Sequence, residues 1–464
     1  MRQPTTAPEF DPKLVARYDV AGPRYTSYPT APQFHAGFDE AALRRAVDAS
    51  NAGAAPLSLY VHVPFCFSPC FYCGCHRVIT RDARKATEYL DYLEKELALL
   101  GPLFARGRPV HQLHLGGGTP SFLDIDHMQR LFAMLARHFD MDRAAGREWG
   151  IEIDPRGIDA AYMSELGRLG FNRLSVGIQD FDAAVQEAVN RVQSVEQTRD
   201  VLRAARGHGF TSASVDLIYG LPHQHAAGFA RTLDQVIALG PDRVAIYGYA
   251  HLPHLFKAQQ QIDEAHLPDA ASRLALLGLA WEKLTTAGYV YVGMDHFARA
   301  SDELVQAQQA GTLQRNFQGY STHGDCDIVG LGVSAIGRIA NTYNQNARDL
   351  VGYYAALDAG RLPVMKGMEL STDDIVRREL IGELMCHGTL DTRRFGARHD
   401  LVFADHFADD MERLAWLVDD GLVELRGAAI NVTPRGRPLL RNIAMCFDAY
   451  LRKSTGAPRY SRTI

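Results

Sequence analysis

Six apolar segments of strand length follow one another along the chain, at residues 57–63, 110–115, 150–153, 173–178, 212–218 and 243–249. Each runs into cysteine, glycine or polar residues: the run at 66–75, G-G-G-T-P at 116–120, D-P at 154–155, Q-D at 179–180, Y-G-L-P at 219–222 and A-H at 250–251. Between them lie stretches with helical spacing. Over 83–100, Leu90, Leu93, Leu97 and Leu100 recur three or four apart, which makes one buried stripe. Similar stretches occupy 157–169, 195–208 and 226–239. Six β-α units in series demand a parallel sheet, because each helical crossover returns the chain to the same end. Six are too few to close an eight-stranded barrel. The expected fold is therefore α/β: a partial, open (β/α)6 barrel with an N-terminal arm and a mainly helical C-terminal domain. In barrels of this kind the active site gathers at the carboxyl ends of the strands, where the punctuating residues lie.

The flanks divide the rest of the chain. Residues 1–53 read as an arm, broken by Pro23 and Pro29 within R-Y-T-S-Y-P-T. It either packs on the body or helps close a site, with Arg24 available to an acidic ligand, and the two readings are compatible. The barrel should span 54–300, with a further helix at 268–287 and an apolar run at 289–293. Residues 301–370 are expected to connect the two domains through a glycine-rich loop over 316–337, and 371–464 to form a helical, winged-helix-like domain with a hairpin at 422–432. Arg435, Arg437 and Arg441 raise a DNA reading there. The net charge of -5 argues against it, and no nucleic-acid partner is expected. No run of 18 apolar residues is present, so a membrane span is not expected. The opening MRQPTTAPEFDPK lacks the apolar core of a signal peptide. With cysteines clustered rather than spread as a disulfide framework, the expected compartment is the reducing cytoplasm.

Four of the seven cysteines fall within ten residues directly after the first strand: Cys66, Cys70, Cys73 and Cys75. Thiolates are the ligands of soft metals and iron–sulfur clusters. Structural zinc usually takes two separated ligand pairs, so gaps of three, two and one on a single loop suit it poorly. An iron–sulfur cluster is the favoured reading. Cys326, Cys386 and Cys446 read as ordinary thiols, Cys326 less firmly because of its glycine-rich surroundings.

C-x3-C-x2-C after the first strand of a β-α barrel resembles the radical S-adenosylmethionine superfamily. Over essentially its whole length the sequence is similar to the oxygen-independent coproporphyrinogen III oxidase (dehydrogenase) family of haem biosynthesis. The residues that carry this are P-R-Y-T-S-Y-P-T-A at 23–31, C-x3-C-x2-C-x-C at 66–75, G-G-G-T-P at 116–120, I-E-I-D-P-R at 151–156 and D-L-I-Y-G-L-P at 216–222. G-M-D-H-F-A at 293–298, N-F-Q-G-Y at 316–320 and R-N-I-A-M-C-F-D at 441–448 complete the set. Single glycine-rich motifs are weak; the ordered set is specific.

The resemblance implies that Cys66, Cys70 and Cys73 hold a [4Fe–4S] cluster whose fourth iron chelates S-adenosyl-L-methionine. Cys75 is then not a ligand, and it and Tyr60 are the candidates for a part in the reaction. Two cofactor molecules are implied, the first near Tyr60, Gly117, Glu152 and Ile336. The second would be near Tyr72, Gly118, Thr119, Gln179, Arg191, Asp216 and Ala250. Glycines at 117 and 118 would let backbone approach a ligand, and Arg191 could pair with a carboxylate through its planar fork. The implied reaction converts two propionates of coproporphyrinogen III to vinyls through a 5′-deoxyadenosyl radical, giving protoporphyrinogen IX. The implied partners are that substrate, an electron donor and an electron acceptor, with the protein acting as a monomer. Two rivals remain, a haem chaperone of the same superfamily and a radical methyltransferase using two cofactor molecules. The chaperone branch typically lacks the C-x-C ending and the arm motif, both present here.

Overall fold

The computed structural model describes residues 9–141, 143–144, 146–453, 460 and 462. The start of the segment read for a signal peptide, and much of the chain beyond 453, lie outside the described residues. Strand β1 (Leu57–Val63) begins the six expected strands. β2 (Val110–Gly117), β3 (Glu148–Ile153), β4 (Arg173–Gln179), β5 (Ser212–Tyr219) and β6 (Arg243–Gly248) follow in chain order, each parallel to its predecessor. The crossovers are α1 (Arg84–Leu100), α2 (Ile125–His138), α3 (Ala160–Leu169), α4 (Val195–Gly207) and α5 (Ala226–Leu239). All four leucines of the stripe on α1 are buried. Side chains of Asp124, Asp159 and Ser194 accept backbone N–H groups at the starts of α2, α3 and α4, satisfying donors that a helix leaves unpaired.

The sheet continues past both edges to twelve strands. After α6 (Ala270–Thr286), β7 (Tyr289–Gly293) and β8 (His296–Arg299) form a hairpin that adds antiparallel to β6 through β8. On the other edge the expected glycine-rich loop is corrected. Within 316–337 the chain forms β9 (Asp327–Leu331), which pairs parallel with β1, and enters β10 (Ile336–Ile339). β11 (Thr342–Asn346) and β12 (Val364–Glu369) complete that edge in antiparallel order. The reason is burial: all five residues of β9 are buried, so small Gly330 is accommodated where a polar-out alternation is neither needed nor present. A Cβ on Gly330 would lie 2.7 Å from the Ile336 carbonyl.

The segment between β8 and β9 closes the amino-terminal end of the barrel. Arg173 and Arg243, the first residues of β4 and β6, pair with Glu303 at 2.6 and 2.7 Å, and Arg243 also pairs with Asp302 at 2.9 Å. Gln112 donates to Ser321 at 2.7 Å and to Glu148 at 2.6 Å. This floor leaves the carboxyl ends of the strands as the open mouth.

The C-terminal region carries the helix Thr372–His387 and the hairpin Val423–Arg426 with Ala429–Val432. A third strand, Thr389–Asp391, pairs with the second arm of that hairpin. Its core also takes in Tyr25 and Tyr28 of the arm. Tyr25 donates to Asp448 at 2.9 Å, and Arg441 donates to the carbonyls of Pro23 and Gly22. Arg437 donates to the Val292 carbonyl at 3.2 Å, and Arg435 pairs with Asp11 at 2.8 Å. The three arginines that raised a DNA reading thus hold the arm and the barrel edge. Among the described residues no helix is long and apolar enough to cross a membrane.

Candidate active site

The cysteine loop leaves β1 through Pro64 and is pinched at its neck by a two-residue parallel pairing, Phe65–Cys66 with Val78–Ile79. Arg77 laces it from within, donating to the carbonyls of Cys73 at 2.8 Å, Cys70 at 3.2 Å and Cys75 at 3.4 Å. Cys66 and Cys70 are buried, Cys73 is half-buried and Cys75 is exposed. Each of the first three sulfurs accepts at least one hydrogen bond. Thr119 Oγ1 donates to Cys66 at 3.3 Å, Arg191 to Cys70 at 3.5 Å, and the Cys75 backbone N–H to Cys73 at 3.4 Å. A hydrogen bond with the Cys75 thiol, helped by the charge of Arg77, brings Cys73 down to about 6, while burial pushes Cys66 up to about 11.

This donor set fits a [4Fe–4S] cluster better than a single ion. Among the described residues, the set of three donors gathered within 4.8 Å of one another lies elsewhere in the molecule and includes none of these thiols. Thiolates on one tetrahedral zinc at about 2.3 Å would be drawn closer than that, whereas a cubane spreads its corner ligands. Donors to the sulfurs are also what tune such clusters.

The G-G-G-T-P turn after β2 closes against this loop. Gly118 and Thr119 donate their N–H groups to the carbonyls of Val63 and Phe65, both at 2.8 Å. A Cβ on Gly118 would sit 2.8 Å from the backbone of Pro64 and Phe65, and one on Gly117, at φ +118°, would sit 2.6 Å from the His62 ring. The backbone approach expected at these glycines is therefore made to β1 and the cysteine loop. The Gly117 N–H donates to Glu152 Oε2 at 3.3 Å.

Alternate residues of the strands point into the mouth. Tyr60 stacks on His114, with rings 6.0 Å apart and 12° from parallel, and its hydroxyl meets His62 Nδ1 at 3.1 Å. His114 Nε2 lies 3.2 Å from Glu152 Oε1. Asp216 accepts from Ser175 at 3.1 Å, and burial together with the nearby charge of Glu152 pushes it up to about 7. Arg191 is buried, pairs with Asp154 at 3.2 Å and donates to the Gly177 carbonyl at 2.8 Å. Burial works against ionised Asp154, but the hydrogen bonds of Arg156 and the charge of Arg191 hold it below its ordinary value. Gln179 takes φ +70° at the end of β4. A Cβ on Gly177 would meet its amide at 2.8 Å and Arg191 at 2.9 Å.

Tyr72 and Ala250 are joined by a residue that the sequence reading missed. Gln259, buried, donates to the Tyr72 carbonyl at 2.9 Å and to the Ala250 carbonyl at 3.1 Å. His62, Arg77 and His114 were missed too. Period two from Tyr60 signals His62, and His114 stands opposite Tyr60 in the β1–β2 register. Ile336 opens β10, which lies one strand beyond β9 from β1. Arg24 pairs with Asp295 at 3.1 Å and lies over the Tyr247 ring, so it enters the region engaged rather than free. Beside it, Arg315 donates to the Arg24 carbonyl at 3.5 Å. Its Nε and one terminal nitrogen are shielded from solvent without a hydrogen-bond partner among the described residues.

Residues 60–236 match the Radical SAM superfamily and residues 370–439 the HemN C-terminal domain. The chain is 47% identical over 458 residues to the oxygen-independent coproporphyrinogen III oxidase of Pseudomonas aeruginosa, covering 98% of this chain and 99% of that one. It is 47% identical over 456 residues to the protein of the same name from Escherichia coli (strain K12), with the same coverage. A solved structure described as coproporphyrinogen III oxidase (HemN) from Escherichia coli, a radical SAM enzyme, superposes with a TM-score of 0.91 at 46% identity. It covers 96% of this chain and 100% of that chain.

Proposed function

The chain belongs to the oxygen-independent coproporphyrinogen III oxidases, radical SAM enzymes of porphyrin biosynthesis, and on that premise we propose that its chemistry takes place in the mouth described above. The observation that carries the reading is whole-length likeness at 47% identity to oxidases of this name. The haem-chaperone alternative is not favoured, because those whole-length relatives are oxidases.

Cys66, Cys70 and Cys73 hold the cluster in this proposal, and Cys75 stands outside it. Support comes from the hydrogen bond that each of the three sulfurs accepts and from the exposure of the fourth thiol. When bound, the cluster and S-adenosyl-L-methionine supply reductive cleavage of a carbon–sulfur bond and, with it, hydrogen-atom abstraction at an unactivated carbon. Tyr60, Gly117, Glu152 and Ile336 border the first cofactor position. Tyr72, Gly118, Thr119, Gln179, Arg191, Asp216 and Ala250 border a second. Glu152 and Asp216 repel each other across the mouth. A cationic ammonium or sulfonium held between them relieves that repulsion and favours ionised Asp216. Tyr60, locked between His62 and His114, gives the first position a fixed wall, and the barrel floor excludes water from below.

Converting a propionate to a vinyl group removes one hydrogen atom from its β-carbon, releases CO2 and leaves one electron for an acceptor. Two such conversions turn coproporphyrinogen III into protoporphyrinogen IX. The substrate is a tetracarboxylate, and Arg24 and Arg315 bring positive charge beside Tyr247 and His296. Arg315, with two nitrogens unengaged, is the stronger candidate for a substrate carboxylate. In this reading the arm (1–53) closes the mouth over the barrel (54–300). The segment 301–370 forms floor and edge, and 371–464 anchors the arm. The protein works as a monomer in the cytoplasm with a separate electron donor and acceptor. The test is anaerobic incubation of cluster-loaded protein with coproporphyrinogen III, S-adenosyl-L-methionine and a reductant. Vinyl-bearing product is expected; tight haem binding without any vinyl product would overturn the reading.

A further inference from the structure

At the closed, amino-terminal end of the barrel stands a cluster with no part in the chemistry above. The ligand atoms of His111, His323 and Cys326 all lie within 4.8 Å of one another. Two pieces of chain far apart in sequence supply them. His111 is the extra residue of a bulge near the start of β2, where Leu57 pairs with Val110 and the next residue, Ser58, with Gln112. A bulge breaks the in–out alternation and re-aims the side chain it carries. His323 and Cys326, in H-x2-C spacing, end the floor segment immediately before β9. Leu57 pairs with Asp327 on that side, so His111 and Cys326 flank the same point of β1 from its two neighbours.

The surroundings are those of a ligand set. His323 Nε2 lies 3.0 Å from the Gly146 carbonyl oxygen. A carbonyl only accepts, so Nε2 carries the proton and Nδ1 keeps the lone pair, the arrangement that fixes the tautomer of metal-bound imidazoles. The two imidazole rings are 5.6 Å apart. Cys326 is 1% exposed, and its carbonyl is held by Arg338 at 2.7 Å. Glu148, itself fixed by Gln112 at 2.6 Å, stands 3.9 Å from His323 Nε2 and adds negative charge nearby.

We propose that His111, His323 and Cys326 form a second metal site that takes one zinc-class divalent ion. Two imidazoles and one thiolate suit zinc, at about 2.0–2.1 Å for nitrogen and about 2.3 Å for sulfur. Small side-chain rotations draw the three donors in to those lengths. A water completes the tetrahedron. Binding releases the thiol proton of Cys326 to solvent and forms the sulfur–zinc bond, with no change of oxidation state. The ion ties β2, the floor segment and β9 together. The site lies about 20 Å along β2 from the glycine turn, at about 3.3 Å per residue.

The test uses anaerobically purified, cluster-loaded protein stripped with a mild chelator and then given zinc or, as a spectroscopic probe, cobalt(II). Elemental analysis should find one zinc per chain beside the iron. Cobalt should give a thiolate charge-transfer band and tetrahedral ligand-field bands that zinc displaces. Cys326→Ser should abolish the charge-transfer band, and His323→Gln should weaken zinc binding by more than the roughly 100-fold that loss of a supporting residue costs. Iron content should stay unchanged in both variants. Zinc-edge absorption of the unaltered protein reads the same site without substitution and should show one sulfur among nitrogen and oxygen ligands. The proposal is overturned by no bound zinc, by a charge-transfer band that survives Cys326→Ser, or by a zinc shell of sulfur only or without sulfur.

Discussion

Glu96 offers the most exacting test of how the barrel is held. It sits on α1, 1% exposed, and accepts from Tyr353 Oη at 2.6 Å, Asn346 Nδ2 at 2.6 Å and the Gly332 N–H at 2.7 Å. It thereby fixes the turn between β9 and β10 from which Ile336 departs. Burial pushes its carboxyl up from 4.5 to about 7, against the three hydrogen bonds that favour the charged form. That rise corresponds to about 3 kcal/mol against ionisation in the folded state. The folded protein therefore binds more protons at this site than the unfolded chain between the two values. The contribution to stability is greatest below 4.5, falls as pH rises and levels off above about 7. Glu96→Gln keeps an acceptor and removes the titration. Unfolding free energies from urea titration, followed by circular dichroism and tryptophan fluorescence, would be compared for both proteins at matched cluster content. Taking the difference cancels every other titrating group. The advantage of the parent over the variant should shrink by about 2 kcal/mol between about pH 5.5 and about pH 8. A difference that stays flat to within about 0.5 kcal/mol would mean that the hydrogen bonds outweigh burial and Glu96 is charged throughout, refuting the reasoning.

Cys70→Ser should abolish the cluster absorbance and the bound iron, whereas Cys75→Ser should keep both; an iron-free Cys75 variant would mean that the four thiols were divided wrongly. Gln259→Leu strips the buried carbonyls of Tyr72 and Ala250 of their donor, at about 1–3 kcal/mol each. It should raise the KM for S-adenosyl-L-methionine about tenfold or more at unchanged iron content, and an unaltered KM would remove Gln259 from the site. Arg315→Met should raise the KM for coproporphyrinogen III by about tenfold, a charge-assisted hydrogen bond contributing about 1.5–3 kcal/mol, with cluster absorbance as the control; a change confined to kcat would contradict substrate binding there.

The six parallel strands were legible because each combines an apolar run with abrupt punctuation, and α1 because its leucines keep strict helical spacing. β9 was not, because its stability comes from pairing with β1 some 270 residues earlier in the chain. Buried on both sides and broken by Gly330, it carries neither the alternation nor the composition of a half-exposed strand. The cysteines, glycines and strand-end carboxylates of the mouth could be named from type and position. Their supports could not: Gln259 is an ordinary glutamine in a short polar stretch until the fold brings Tyr72 and Ala250 to it. Arg191 could be named as a carboxylate partner, but not the Asp154, Gly177 and Cys70 that close around it. Roles that depend on contacts between distant segments leave no local trace in composition.

The seat of the arm bears on the order in which the molecule can be completed on the ribosome. Residues 22–25 emerge early, but the groups that grip them, Arg441 and Asp448, are translated more than four hundred residues later. Until then the arm lacks these two grips and has partners such as Asp295 and Arg315, while β1, the cysteine loop and the parallel strands have long been available to assemble. A chain still being made therefore cannot complete the seat of the arm until its last residues are translated, whereas the segments that carry the cysteines can pair well before then.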